Sequence, residues 1–138
     1  MDYLKKRGLC SEEIITTFKI GFVDRTLGRR RPHNNRKEGA ALRERLTRLG
    51  LLRDTGHEHL RGRIVFPVVA DDGEIGTVYG RAIDERGKHE RHLFLPGPQR
   101  GLFNPAALRS AEGVLCEGII DAVTVWAAGF KYVTTGYR

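Results

Sequence analysis

The chain has 138 residues, 40% of them hydrophobic, which is enough for one domain with a real core. Its 24 Lys and Arg against 17 Asp and Glu give a net charge of +7, which favours an anionic partner such as nucleic acid over a merely basic surface. No stretch approaches the roughly 20 apolar residues of a membrane span. There is no signal core, and the two cysteines, Cys10 and Cys116, exclude a disulfide framework. We expect a cytoplasmic protein with no membrane partner and with both thiols buried.

The N-terminal part is predicted to be a helical hairpin over residues 3–19. Ser11 is a good N-cap, with two glutamates in the first turn behind it, and Phe18 belongs to the apolar stripe of that helix. Residues 21–37 are rich in Arg, Asn and Gly without periodicity, which predicts an exposed, mobile loop. That loop is either a phosphate-contacting arm or a solvated segment. A helix is predicted from about Glu38 to Leu49.

The middle of the chain has the pattern of an antiparallel hairpin. Residues 63–70 and 74–83 are two apolar runs separated by a turn signal at Asp71-Asp72-Gly73. Pro67 predicts that the first strand lies at an edge or carries a bulge. Residues 91–97 are predicted to be a third short strand.

The last third is predicted to contain a strand, a helix and a second, parallel strand. Asn104 is predicted to cap a helix that begins at Pro105. Val114 to Cys116 is apolar and is expected to lie inside a core, Ile119 to Ala128 is helical, and the sequence KYVTTG forms the second strand. We therefore predict an α+β fold, in which an N-terminal helical segment and a small antiparallel sheet occupy residues 1–110. A partial βαβ unit, which further strands would complete, occupies residues 111–138.

Two carboxylates stand where the first strand of the βαβ unit ends. Glu117 follows the strand, Gly118 permits close approach of a ligand, and Asp121 lies one helical turn beyond. Converging carboxylates are common ligands of Mg²⁺. The spacing also fits an ordinary surface glutamate and an aspartate that the helix dipole favours.

Four segments in order resemble the catalytic core of bacterial-type DNA primases, including primases of phages and mobile elements. They are YLKKRGLCSEEIITTFKIGFV, LRGRIVFPVVADDGEIGTVYGRAI, HLFLPGPQRGLFN and LCEGIIDAVTVWAAGF. The last resembles the first motif of the TOPRIM fold, which binds metal for nucleotidyl transfer. The resemblance covers nearly all of the chain and implies template-directed primer synthesis.

The resemblance also implies roles for particular residues. Glu117 and Asp121 match the catalytic, metal-binding acidic positions, which use Mg²⁺ or Mn²⁺. The single-stranded DNA template and nucleoside triphosphates would be partners, with a replicative helicase as a further candidate. Arg63 and Arg81 match nucleic-acid- and nucleotide-binding positions of the family's hairpin, and Arg91, His92 and Arg100 are further candidate contacts. The hairpin is predicted to turn its two arginines toward one groove, whereas Arg91-His92 stands where the family usually has Lys-Tyr.

Two departures from the family limit these expectations. The second acidic motif, Asp-x-Asp, does not occur, and neither does the zinc-binding segment that precedes the primase core. We therefore expect about half of a metal site and no activity from these residues alone. The alternatives are another TOPRIM enzyme, such as a nuclease or topoisomerase relative, or a non-catalytic nucleic-acid-binding module. Trp126 and Phe130 are expected to pack in the core.

Overall fold

The computed structural model describes residues 2–30, 36–84 and 90–136. Helices and an antiparallel sheet are both present, which confirms the α+β class. The helices are α1 (Asp2–Lys6), α2 (Glu12–Thr17), α3 (Leu27–Arg30), α4 (Lys37–Arg48) and α5 (Ile119–Ala127), with a 3₁₀ turn at Pro105–Arg109. The strands are β1 (Gly21–Phe22), β2 (Arg63–Val69), β3 (Ile75–Ala82), β4 (His92–Phe94), β5 (Val114–Cys116) and β6 (Val133–Thr135). In this described part of the chain, no helix has both the length and the apolar character needed to cross a bilayer.

The larger sheet has the strand order β1-β2-β3-β4. β2, one of its two inner strands, contains Pro67, which was predicted to lie at an edge or a bulge. Val65 pairs with Gly21 of β1, and the N–H of Leu102 donates to the carbonyl of Val69 at 2.9 Å. Pro67 falls between these two bonded positions. Its missing N–H therefore costs no ladder bond to either partner.

Contacts divide the chain into two compact units. The first unit comprises Met1–Ile20, Phe66–Thr77 and Arg100–Arg138, and the second comprises Gly21–Val65 and Val78–Gln99. The boundaries between them fall inside β2 and β3. The division at residue 110 that the sequence suggests stays a prediction.

An aromatic cluster forms part of the core of the first unit. Phe18 stacks on Phe103 with ring centroids 5.0 Å apart, and meets the edge of Trp126 at 5.1 Å. The helix that carries Phe18 begins as predicted, because the Ser11 hydroxyl accepts a hydrogen bond from the N–H of Ile14 at 3.2 Å. All three rings are buried.

In the second unit, the segment predicted to be an exposed loop is partly ordered. It contains β1 and the single turn of α3, which begins after Thr26. Asp24 accepts hydrogen bonds from the hydroxyl and the N–H of Thr26, and Glu58 accepts one from the N–H of Leu27 at 2.9 Å. The two hydrogen bonds from Thr26 lower the pKa of Asp24, and the bond from the hydroxyl has the larger effect. Sequence pattern missed α3 because side-chain hydrogen bonds, not hydrophobic periodicity, begin it, and it missed β1 because that strand depends on pairing with β2. Residues 31–35 of the segment lie outside the described part.

The βαβ unit has the predicted elements, and β5 pairs with β6 in parallel. The expectation that β5 lies inside a core is wrong, since Leu115 is 72% exposed. A two-stranded sheet covered by one helix buries only one face. Phe130 is also exposed. It would share a helix face with Trp126 if α5 continued, but the chain leaves the helix at Gly129 (φ +109°). The two thiols are half-buried rather than buried.

Asn104 does not cap a helix with its side chain. Its backbone is left-handed (φ +53°), and its amide donates to the carbonyls of Lys131 (3.0 Å) and Val133 (2.8 Å). The residue therefore fixes the segment before the 3₁₀ turn to β6. Sequence pattern could not distinguish these roles, because both use the same amide group.

Candidate functional site

An acidic candidate site, in the first unit, lies at the carboxyl end of β5. Glu117 is exposed and forms no ion pair with a side chain in the described ranges. Gly118 is the N-cap of α5, and Asp121 lies in the first turn of that helix. A carboxylate is favoured in this turn because the N-terminus of a helix is positively polarised.

The Asp121 carboxylate turns back toward the end of the strand. A Cβ atom at Gly118 would lie 3.1 Å from its Oδ2 atom, so the glycine leaves room for this orientation. Burial first, and then the negative charge of Asp121, raises the pKa of the Cys116 thiol. The Asp121 carboxylate therefore lies close to the end of β5. Glu117 is the residue that follows this end in sequence.

These two carboxylates fit a hard divalent cation as two of its oxygen ligands. The described residues contain no group of three or more His, Cys, Asp or Glu side chains arranged to hold a metal ion. The assignment of Glu117 and Asp121 as metal ligands stays a prediction.

The Cys116 thiol offers a direct test of where the Asp121 charge lies. In a Cys10→Ser background, Asp121→Asn should lower the pKa of Cys116 and increase its alkylation rate by iodoacetamide near pH 8, because only the thiolate reacts. The rate should be measured by mass spectrometry against Glu112→Asn as the control. Equal rates in the two variants would contradict the placement of Asp121.

A basic candidate site, in the second unit, includes a cross-strand pair on β3 and β4. Arg81 lies directly opposite His92, and its Nη1 atom is 2.6 Å from Nε2 of the imidazole. The other ring nitrogen, Nδ1, is 2.7 Å from the hydroxyl of Tyr79. Tyr79 is buried, whereas His92 is exposed. The pair thus joins an exposed guanidinium contact to a buried phenol.

Tyr79 is a residue that sequence reasoning missed. It lies two positions before Arg81 on β3, so the two side chains share a face of the sheet. The spacing of Tyr79 and Arg81 is visible in the sequence. The position of His92 between their side chains depends on the register in which β3 pairs with β4.

Arg63 occupies a different environment from Arg81. Its side chain is buried, and its guanidinium donates to the carbonyls of Glu90 (2.9 Å) and Arg61 (3.3 Å). Burial, followed by the charges of nearby arginines, lowers its pKa. A Cβ atom at Gly80 would lie 2.9 Å from the Cδ atom of Arg63. Because Gly80 and Arg81 are consecutive in a strand, the two arginines lie on opposite faces, and the expectation of one shared groove is wrong.

Arg91 and Arg100 are both exposed. The backbone carbonyl of Arg91 accepts a hydrogen bond from the N–H of Ala82 at 3.0 Å. The Arg100 guanidinium lies 3.6 Å from the carboxylate of Asp72, an exposed pair of the kind that contributes little stability. Their assignment as phosphate contacts stays a prediction.

The two units differ sharply in charge. The second unit contains 16 Lys and Arg against eight Asp and Glu, whereas the first contains eight against nine. The net positive charge of the whole chain therefore resides in the second unit, which carries Arg81 and Arg91. The first unit carries Glu117 and Asp121.

Comparison with known proteins identifies the family. Residues 1–105 match the family described as the DNA primase catalytic core, N-terminal domain. The chain belongs to this primase family. The match includes the hairpin, which favours a primase over the alternative of a nuclease or topoisomerase relative.

Related primases agree with this assignment. The chain is 31% identical over 153 residues to the DNA primase of Listeria monocytogenes serovar 1/2a, covering 95% of the chain and 22% of that relative. The Escherichia coli primase catalytic core is 26% identical with a TM-score of 0.71, over 97% of the chain and 46% of that structure. A DnaG primase catalytic domain bound to single-stranded DNA is 25% identical with a TM-score of 0.72, over the same 97% and 46%. The chain thus spans less than half of either solved primase domain.

Proposed function

We propose that this chain forms part of a primase that synthesises primers on single-stranded DNA by metal-dependent nucleotidyl transfer. The observation that carries the proposal is the orientation of the Asp121 carboxylate over Gly118, the residue that follows Glu117 at the β5 terminus. Membership of the primase family supports it, and so does the relative whose structure holds single-stranded DNA. In this proposal β5, α5 and β6 are the beginning of a TOPRIM fold.

Glu117 and Asp121 would hold Mg²⁺ or Mn²⁺ through their oxygens. When bound, such an ion supplies neutralisation of the charge that develops on the reacting phosphate. Glu117 is exposed and accessible to solvent ligands, and Gly118 has no side chain to obstruct a nucleotide phosphate.

The second unit would bind the template strand and the nucleotide phosphates. Its excess of basic residues attracts a polyanion. The exposed Arg91 and the half-buried Arg81 are the candidates, because a guanidinium donates paired hydrogen bonds to phosphate oxygens. Arg63 would instead act indirectly, by fixing the backbone at Glu90 through its buried hydrogen bond.

The 138 residues alone would not turn over substrate. Two carboxylates leave most of the coordination positions of Mg²⁺ to water, so its affinity is expected to be weak. In this proposal, activity requires further acidic ligands from outside these 138 residues.

Glu117→Gln tests the catalytic assignment in the longest natural polypeptide that contains these residues. It should lower the rate of primer synthesis by about 10²–10³-fold, the usual loss when one group that stabilises the transition state is removed. The side chain is exposed, so the free energy of unfolding should change by less than about 0.5 kcal/mol.

Glu112→Gln is the matched control, since Glu112 is equally exposed and precedes the opposite end of β5. It should retain the full rate of synthesis. If Glu117→Gln also retains that rate while weakening DNA binding, the chain is a non-catalytic binding module and the proposal is wrong.

A further inference from the structure

The contact between Arg81 and His92 constrains the protonation of the imidazole. A guanidinium donates hydrogen bonds and accepts none. The Nε2 atom, 2.6 Å from Nη1 of Arg81, must therefore be the unprotonated acceptor. A neutral imidazole then carries its proton on Nδ1.

The Tyr79 hydroxyl receives that proton as a hydrogen bond. Nδ1 lies 2.7 Å from the phenolic oxygen, and Tyr79 is only 4% exposed. Its ring is also held by Phe94, the residue opposite it on β4, with centroids 5.2 Å apart. A buried, packed phenol thus fixes the orientation of an exposed imidazole, whose far nitrogen meets Arg81.

We propose that Tyr79 and His92 are positioning residues that orient the Arg81 guanidinium for a nucleic-acid phosphate. This inference rests on the proposed binding role of Arg81. In this proposal Tyr79 does not touch the ligand, and it acts by orienting the His92 ring so that Nε2 faces Arg81. The Arg81–His92 contact itself is exposed, so a phosphate can reach the guanidinium from its Nη side, whereas its Nε atom is buried.

A double-mutant cycle tests the coupling with a fluorescein-labelled oligothymidylate at low salt. In the 138-residue chain, Arg81→Gln should weaken binding about tenfold, and Tyr79→Phe roughly 2–10-fold, since it removes one hydrogen bond. In the Arg81→Gln background, Tyr79→Phe should have no further effect, because its action passes through the arginine.

Tyr3→Phe is the matched control, because the Tyr3 hydroxyl is buried and has no hydrogen-bond partner in the described ranges. It should leave oligothymidylate affinity unchanged. His92→Gln, whose amide oxygen can accept from Arg81, should bind better than His92→Phe. Additive losses from Tyr79→Phe and Arg81→Gln would mean a general structural role and would overturn the proposal.

The tautomer is measurable without DNA. ¹⁵N correlation spectra of the imidazoles, with His92 assigned from His92→Gln, should show Nδ1 protonated in the native chain and a smaller population of that form in Tyr79→Phe. A His92 ring protonated on Nε2 overturns the positioning. If the tautomer is as expected but Arg81→Gln binds normally, the binding role of Arg81 is what fails, and the proposal fails with it. The synthesis rate of Glu117→Gln tests the catalytic function separately.

Discussion

Phe18→Ala is expected to lower the free energy of unfolding of the 138-residue chain by about 3–5 kcal/mol, the usual cost of emptying a buried aromatic site. Phe18 is 7% exposed and touches two other rings, at 5.0 and 5.1 Å between centroids. Its loss removes buried apolar area and leaves a cavity that neither Phe103 nor Trp126 can fill without moving. Urea denaturation followed by circular dichroism measures the change.

Phe130→Ala is the matched control, since it removes the same ring from a position 64% exposed. That change should cost less than about 0.5 kcal/mol. If Phe18→Ala does not fold at all, Phe18→Leu keeps most of the apolar volume and should cost about 1–2 kcal/mol. Equal losses for Phe18→Ala and Phe130→Ala would contradict the packing of the cluster.

Gly101→Ala should destabilise the chain through a steric clash with the backbone of β2. A Cβ atom there would lie 2.3 Å from the carbonyl oxygen of Val69, closer than atoms in contact allow. That carbonyl also accepts the hydrogen bond from Leu102, so relieving the clash strains the bond. The glycine is in addition at φ +100°, which a side chain tolerates poorly.

Gly97→Ala separates these two causes. Gly97 has nearly the same backbone angle, φ +105°, but a Cβ atom there meets nothing within 4 Å. It should cost about 1–3 kcal/mol from backbone strain alone. Gly101→Ala should cost about 1–3 kcal/mol more, from the clash. Thermal unfolding of the two variants gives the difference in their free energies of unfolding. The same loss in both would show that the backbone of β2 moves away from the new methyl group at no cost.

The elements with strong local signals were predictable. The Ser11 cap, the helix that ends before Gly50, the strands of the hairpin and the βαβ unit all follow from nearby residues, whose hydrogen-bonding and apolar patterns act over a few positions. Glu117 and Asp121 were found in the same way, because a strand end, a glycine and a helical turn are consecutive in the chain.

The failures involve residues whose surroundings come from distant segments. Nothing near Leu115 indicates that one face of β5 stays exposed, and nothing near Arg63 indicates that a carbonyl at Glu90 takes its guanidinium. The sheet face of each arginine depends on strand register, in which one residue of shift reverses every side chain.

Sequence by itself determined the α+β class, the basic character, the primase family and the acidic pair at the β5 terminus. Those properties are carried by composition and by contiguous residues. Only the tertiary structure decided that Arg63 is buried and Arg81 half-buried, and it alone brought Tyr79, His92 and Arg81 together. The physical reason is that pairing of β3 with β4 joins residues 11–13 positions apart, a separation over which local preferences carry no information.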